Sequence, residues 1–309
     1  MKGKRLLMIC LALLVALSMM PLNGFAATKT VTVVGEKNYS EFNGEMLISD
    51  IWKETYNKKG QNTKSTYTSY EYDWSTGERL SQTKSVTEYS YNKKGRLASF
   101  VEKEDGNITE KTVYTYKNGK VTKQTEYIYK NGKYVKNGYT TFNKSGKKET
   151  IKSYNKSGDL IDKQITEYNS KGLETKYTYY EGGSKKPKFT YTYKYHKGTK
   201  ALKEMKCTNS DGSYWTNYYN KKEQMIKDVM VDPDGKSVGI YKYDSYGRQT
   251  EYSLESSYTY DGEEVNNEYK YIYKYSGTFN GKKKYPLVKD TYDEEGNLLF
   301  KTEYEYKMI

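Results

Sequence analysis

Tyrosine is the residue whose number and spacing in this chain give it the widest scope for chemistry. In Phe189-Thr190-Tyr191-Thr192-Tyr193-Lys194-Tyr195 every second residue is aromatic, and Tyr269-Lys270-Tyr271-Ile272-Tyr273-Lys274-Tyr275 repeats the design. Alternate residues of a strand share one face, so these runs present ladders of rings. Rings on a sheet can stack on sugar faces while adjacent lysines meet anionic groups. The candidate ligand-binding residues are therefore Tyr191, Tyr193, Tyr195, Trp215, Tyr269, Tyr271, Tyr273 and Tyr275. The simpler alternative is that the rings are the core, because each can bury on the order of 150–250 Å².

Other reactive residues point to structure. The single histidine, His196, stands in Tyr195-His196-Lys197-Gly198, a turn position that Asn fills elsewhere, and a catalytic triad lacks its other members. Cys10 belongs to the leader and leaves only Cys207, so no internal disulfide is possible; Cys207 has no nearby His to activate it. Too few His and Cys residues are present for a zinc site. Asp232-Pro233-Asp234-Gly235 is turn chemistry and lacks the later ligands of a calcium loop. The pairs Glu263-Glu264 and Glu294-Glu295 fall at turns. No metal, no cofactor and no catalysis are expected.

The elements that position the rings are strands joined by one recurring corner. Tyr91-Asn92-Lys93-Lys94-Gly95 reads as a type I turn followed by a glycine at positive φ, and the same frame stands at Tyr56–Gly60, Phe142–Gly146, Tyr154–Gly158, Tyr168–Gly172, Tyr243–Gly247 and Tyr292–Gly296. Turn signals arrive about every 10 to 18 residues in two interleaved series. One runs through Gly60, Gly95, Gly119, Gly146, Gly172, Gly198, Glu223 in place of a glycine, Gly247 and Gly296; the other runs through Gly77, Gly106, Gly132, Gly158, Gly183, Gly212, Gly235, Gly262 and Gly281. Alternate turns must lie on opposite edges, which gives a two-strand repeat of roughly 25 residues. The stretch Tyr275–Leu287 reads as a longer irregular loop.

Residues 1–26 carry Lys2, Lys4 and Arg5, an apolar run and a small-residue end, the pattern of a signal peptide. Residues 27–55, with Val31, Val33, Val34, Met46, Leu47, Ile48, Ile51 and Trp52, are the most aliphatic part of the mature chain and suit capping strands; residues 56–309 form the Tyr-rich repeat domain. Losing the leader takes the formal charge from +13 to +10, so the mature surface attracts anions in a salt-dependent way.

Tyr243-Asp244-Ser245-Tyr246-Gly247-Arg248, Tyr292-Asp293-Glu294-Glu295-Gly296-Asn297-Leu298 and Tyr91-Asn92-Lys93-Lys94-Gly95-Arg96-Leu97 resemble YD repeats, the units of rearrangement-hotspot and teneurin-like proteins. That resemblance implies a long spiralling β-sheet. Asn209-Ser210-Asp211-Gly212-Ser213-Tyr214-Trp215 bears a fainter likeness to cell-wall-binding repeats.

The sequence thus leads to an all-β fold, a long antiparallel meander of hairpin repeats whose sheet curls, spirals or splits into layers. The expected function is that of a secreted, non-catalytic module at the cell surface or wall. Its expected partners are a wall glycan, an anionic polymer or a surface protein; nucleic acid and a transmembrane segment in the mature chain are not expected. A scaffold pairing through its strand edges, or a glycan-active enzyme, is the alternative.

Overall fold

The structure is a computed structural model that describes residues 31–260 and 263–308. The signal-peptide expectation and Gly262 lie outside those residues. Among them, Val33–Lys307 form one compact unit, and Val31, Thr32 and Met308 fall in a second.

The described residues form twenty strands: β1 (Val31–Phe42), β2 (Glu45–Tyr56), β3 (Asn62–Tyr72), β4 (Arg79–Tyr91), β5 (Leu97–Glu104), β6 (Asn107–Lys117), β7 (Lys120–Lys130), β8 (Lys133–Ser145), β9 (Lys148–Asn155) and β10 (Leu160–Tyr168). They continue as β11 (Glu174–Glu181), β12 (Phe189–Tyr195), β13 (Leu202–Asn209), β14 (Tyr214–Tyr219), β15 (Met225–Asp232), β16 (Gly235–Tyr243), β17 (Gln249–Tyr260), β18 (Glu263–Ser276), β19 (Val288–Tyr292) and β20 (Leu298–Met308). Each strand pairs antiparallel with the next, and β1 also pairs with β20. The meander therefore closes on itself as a barrel.

Closure corrects the expectation of a curled or spiralling open sheet. A twisted open sheet rarely exceeds about ten strands, and an open edge leaves a row of unpaired amides. Pairing the first strand with the last removes both edges at once. The aliphatic stretch read as a cap supplies β1 and β2 of this ring.

The corners are built as the Asn frame dictates. In the loop after β4, the Asn92 N–H donates to the Arg96 carbonyl at 2.8 Å and the Gly95 N–H to the Asn92 carbonyl at 2.9 Å. The Asn92 Oδ1 meanwhile accepts from the amides of Lys94 and Arg96. Asn57, Asn155, Asn169, Asn220, Asp244 and Asp293 head the same construction. Glu223 takes φ 61° where the other copies carry glycine.

Three details differ from the sequence reading. Asn143 stays in β8 opposite Thr150, and Ser145 pairs with Lys148, so Phe142–Gly146 is not a corner and Gly146-Lys147 forms a two-residue turn instead. Positive φ falls on Gly182 rather than Gly183. The long Tyr275–Leu287 loop is a connection in its own right, so alternation puts Gly281 on the rim of the first turn series and Gly296 on the other.

Tyrosines that lead into five of the corners have a second task. The Tyr91 hydroxyl donates to the Asn62 carbonyl, Tyr116 to Leu97, Tyr195 to Glu174, Tyr243 to Met225 and Tyr275 to Gln249, all at 2.7–2.8 Å. In each case the acceptor opens the strand that follows the preceding corner on the same rim. These five corners combine a turn with a tie to the neighbouring one, which satisfies the phenol without a core, whereas Tyr56 and Tyr168 donate instead to Glu54 and Glu149.

Candidate functional site

Paired registers assign every strand residue to one of two faces. On one face, Glu36 lies opposite Trp52 and Trp52 opposite Tyr67; further round, Tyr89 opposes Phe100, Phe100 opposes Thr112 and Thr112 opposes Glu126. The same face continues through Thr166, Tyr177, Tyr191, Cys207, Trp215, Met230, Ser237 and Ser256. The opposite face reads Lys53, Thr66, Val86 and Lys103, then Lys123, Thr141, Lys152, Lys163 and Tyr180, then Lys176, Thr192, Lys206, Thr216, Val229 and Val238.

The aromatic and carboxylate face is the concave one. Burial raises the carboxyl groups of Glu36, Glu102, Glu126 and Asp162 above their ordinary values. It also pushes the phenols of Tyr89 and Tyr114 up to about 12. Reach across strands agrees: Asp162 on β10 acts electrostatically on Glu126 on β7, three strands away, which requires side chains that converge. On the other face, Glu251 is instead held low, chiefly by its hydrogen bond to Lys242, and Lys194 pairs with Glu204 on the neighbouring strand at 2.8 Å. Lysine stems lie over rings there, as with Lys163 over Tyr180 at 4.0 Å and Lys206 over Tyr214 at 3.9 Å.

The barrel is one layer thick. Among the described residues the buried apolar side chains are Val34, Cys207 and Pro286, alongside eight buried threonines: Thr68, Thr112, Thr140, Thr166, Thr178, Thr216, Thr291 and Thr302. Small β-branched residues fill the space between rings and lysine stems. Burial pushes the Cys207 thiol up to about 11, which leaves it a packed and unreactive group.

All eight predicted site residues lie on the lumen face, in two sets. Tyr191 sits between Trp215 at 5.5 Å and Tyr193 at 6.4 Å, with Tyr177 and Phe189 beside it. Tyr269, Tyr271, Tyr273 and Tyr275 stand on β18, and Tyr271 lies parallel to Tyr252 at 6.2 Å. Strands β15 to β17 separate the sets. Tyr195 and Tyr275 are spent on carbonyl ties. His196 keeps its turn role and reaches the Tyr219 carbonyl through Nε2 at 2.9 Å.

The sequence reading missed the carboxylates that share this face. Asp50, Glu54, Glu71, Glu102, Glu110, Glu126, Glu149 and Asp162 line β2 to β10, with Glu102 directly opposite Glu110. Four lumen-face lysines enter the pairings of the described residues: Lys144 opposite Glu149, Lys130 opposite Lys133 at the end of β7 and β8, and Lys289 on β19. A signal existed: Glu110 shares the parity of Thr112 and Tyr114, and Glu102 that of Phe100.

No family model and no curated protein matches the chain. Among solved structures it is similar to a porin-like protein from Bacteroides uniformis ATCC 8492, at 10% identity over 90% of this chain and 96% of that one, with a TM-score of 0.41. A porin-like protein from Bacteroides vulgatus ATCC 8482 is similar at 11% identity over 90% of this chain and 99% of that one, with a TM-score of 0.25.

These findings correct several expectations. Strands of an open spiral, implied by the YD-repeat and cell-wall-repeat resemblances, do not describe a sheet that closes. A secreted wall-binding module is withdrawn with them: its tyrosine platforms point into the lumen, not toward a wall polymer or a surface protein, and strand-edge pairing has no free edge to use. The expectation of no transmembrane segment is withdrawn as well. Among the described residues no helix is long and apolar enough to cross a membrane, but a barrel crosses with strands, and about 9–11 residues suffice for one.

Proposed function

We propose that this chain is a non-catalytic β-barrel of the cell envelope whose working surface is its lumen, which admits small polar solutes and favours cations over anions. The observation that carries the reading is the separation of charge across one layer of sheet. Carboxylates line the concave face of β2 to β10 while lysines populate the convex one. A concave, partly desolvated surface of one sign concentrates ions of the other. Barrels of sixteen or more strands are wide enough to hold water, and tyrosine hydroxyls with threonines keep this wall wettable.

Cysteine accessibility tests the reading. Ser237 lies on the lumen face opposite Met230, and Ser253 on the outer face opposite Lys270. Ser237→Cys should react faster with a small cationic thiosulfonate than with its anionic counterpart, and resist a polyethylene glycol maleimide. Ser253→Cys should take the bulky reagent and prefer the anionic one. Equal rates at both positions, or bulky labelling at Ser237→Cys, contradict a lumen that admits small cations.

A further inference from the structure

Resting on the assignment of these residues to the lumen face, we propose that Asp228 and the rings of Tyr241, Tyr252 and Tyr271 form a binding site for a primary ammonium group. Asp228 stands on β15, directly opposite Asn217 of β14 and Gly239 of β16. Its Oδ2 is buried and is the one buried side-chain polar atom among the described residues without a hydrogen-bond partner. The Tyr241 phenol is a hydrogen-bonding neighbour of this carboxylate but leaves Oδ2 without a partner, and a buried carboxylate oxygen left unpaired is costly and is usually matched by a donor.

The surroundings define what that donor can be. Gly239 makes the room: a Cβ at this position would stand 2.0 Å from Asp228 Oδ2 and 2.9 Å from the Tyr252 ring. Only glycine lets the carboxylate lie against the sheet here. The Tyr241 and Tyr252 rings lie 4.8 Å apart, and Tyr271 extends the row parallel to Tyr252 at 6.2 Å. Ring faces attract cations, and the opposed residues Asn217 and Gly239, with Leu254 beyond, bring no cation of the protein's own to the carboxylate. A carboxylate acceptor beside aromatic faces suits a cation that also donates N–H bonds. A quaternary ammonium has the charge without the donors, and potassium is not held by directed N–H bonds. An anion is repelled.

Titration of the full chain with methylammonium, tetramethylammonium, potassium and acetate, followed by calorimetry, tests the site. Methylammonium should bind saturably and about tenfold more tightly than tetramethylammonium or potassium, and acetate not at all. Asp228→Asn should weaken methylammonium by about tenfold or more, as loss of a charge-assisted hydrogen bond requires. Gly239→Ala should weaken it too, by displacing the carboxylate, and circular dichroism of both variants checks that the sheet persists. Tyr252→Leu gives a third reading that leaves the carboxylate in place and should also weaken binding. Equal affinity for all three cations, or methylammonium binding unchanged in Asp228→Asn, overturns the site. Because Ser237→Cys labelling reads lumen access without using Asp228, failure here is distinguishable from failure of the lumen itself.

Discussion

The two halves of the lumen wall hang on the same scaffold and carry different chemistry. From β2 to β10 the concave face mixes carboxylates with short ring clusters, as in Tyr89, Phe100 and Tyr114 beside Glu102 and Glu110. From β11 to β18 it is a nearly continuous row of rings, from Tyr177, Tyr179, Phe189 and Tyr191 through Trp215 to Tyr252 and Tyr271. Corners, hydroxyl ties and lysine-clad outer faces recur in both. The difference teaches that the repeat fixes the barrel while the lumen-facing positions are free to vary. One arc is held by ring packing; the other keeps like charges together at a cost.

The largest expected effect breaks the aromatic arc. Trp215→Ala removes the ring that meets Tyr191 at 5.5 Å. Truncation of a large aromatic in a packed setting costs about 3–5 kcal/mol, and this half-exposed position should lose about 2–3 kcal/mol, read as a lower midpoint in urea. A loss well below that range would mean that the rings are not what holds β11 to β18.

Neutralising the acidic arc should act in the opposite direction. Glu102 and Glu110 are directly opposed, and Glu126 lies on the next strand. Glu102→Gln with Glu126→Gln should stabilise the protein at neutral pH by about 0.5–1 kcal/mol through relief of like-charge repulsion. The pH dependence has a definite sign. Burial raises the folded-state carboxyls of Glu102 and Glu126, so their contribution is fully present below the ordinary carboxylate range and is lost as pH rises through the raised values. Mild acidification from neutral pH should therefore favour the wild type more than the double variant. Asp293 at its corner, held low chiefly by the Asn297 side-chain amide, behaves oppositely and loses its contribution as pH falls through the depressed value. A double variant with an unchanged pH profile of thermal melting would contradict a desolvated acidic wall.

The smallest effect sharpens the comparison by being equal in both halves. Tyr116→Phe removes a carbonyl tie in the acidic arc and Tyr243→Phe removes one in the aromatic arc. Each should cost about 1 kcal/mol, the usual net worth of one hydrogen bond. A large inequality between the two would show that the scaffold itself differs from one arc to the other.

Much of this was legible in the residues. Period-two spacing in Phe189–Tyr195 and Tyr269–Tyr275 marks strands with a tyrosine face, and the Asn-x-x-Gly frame marks corners down to the substitution of Glu223 for glycine. Ring closure was not legible, because it rests on β1 meeting β20 across almost the whole chain. Alternation separates two faces without saying which becomes concave, so tyrosines expected to face a polymer face the lumen instead. The Asp228 site depends on register: Gly239 and Asp228 are unremarkable in sequence and become neighbours only when β15 pairs with β16.

The central claim is that the acidic, ring-lined face is the inside of a closed barrel, and collisional quenching of tryptophan tests it most directly. Trp52 and Trp215 lie on the lumen face, whereas Trp74 sits in an exposed corner and can be removed as Trp74→Phe. In that variant, caesium should quench the remaining fluorescence more effectively than iodide, and added salt should shrink the difference. The protein as a whole carries a formal charge of +13, so an outward-facing or open surface would favour iodide, and stronger quenching by iodide would contradict the account.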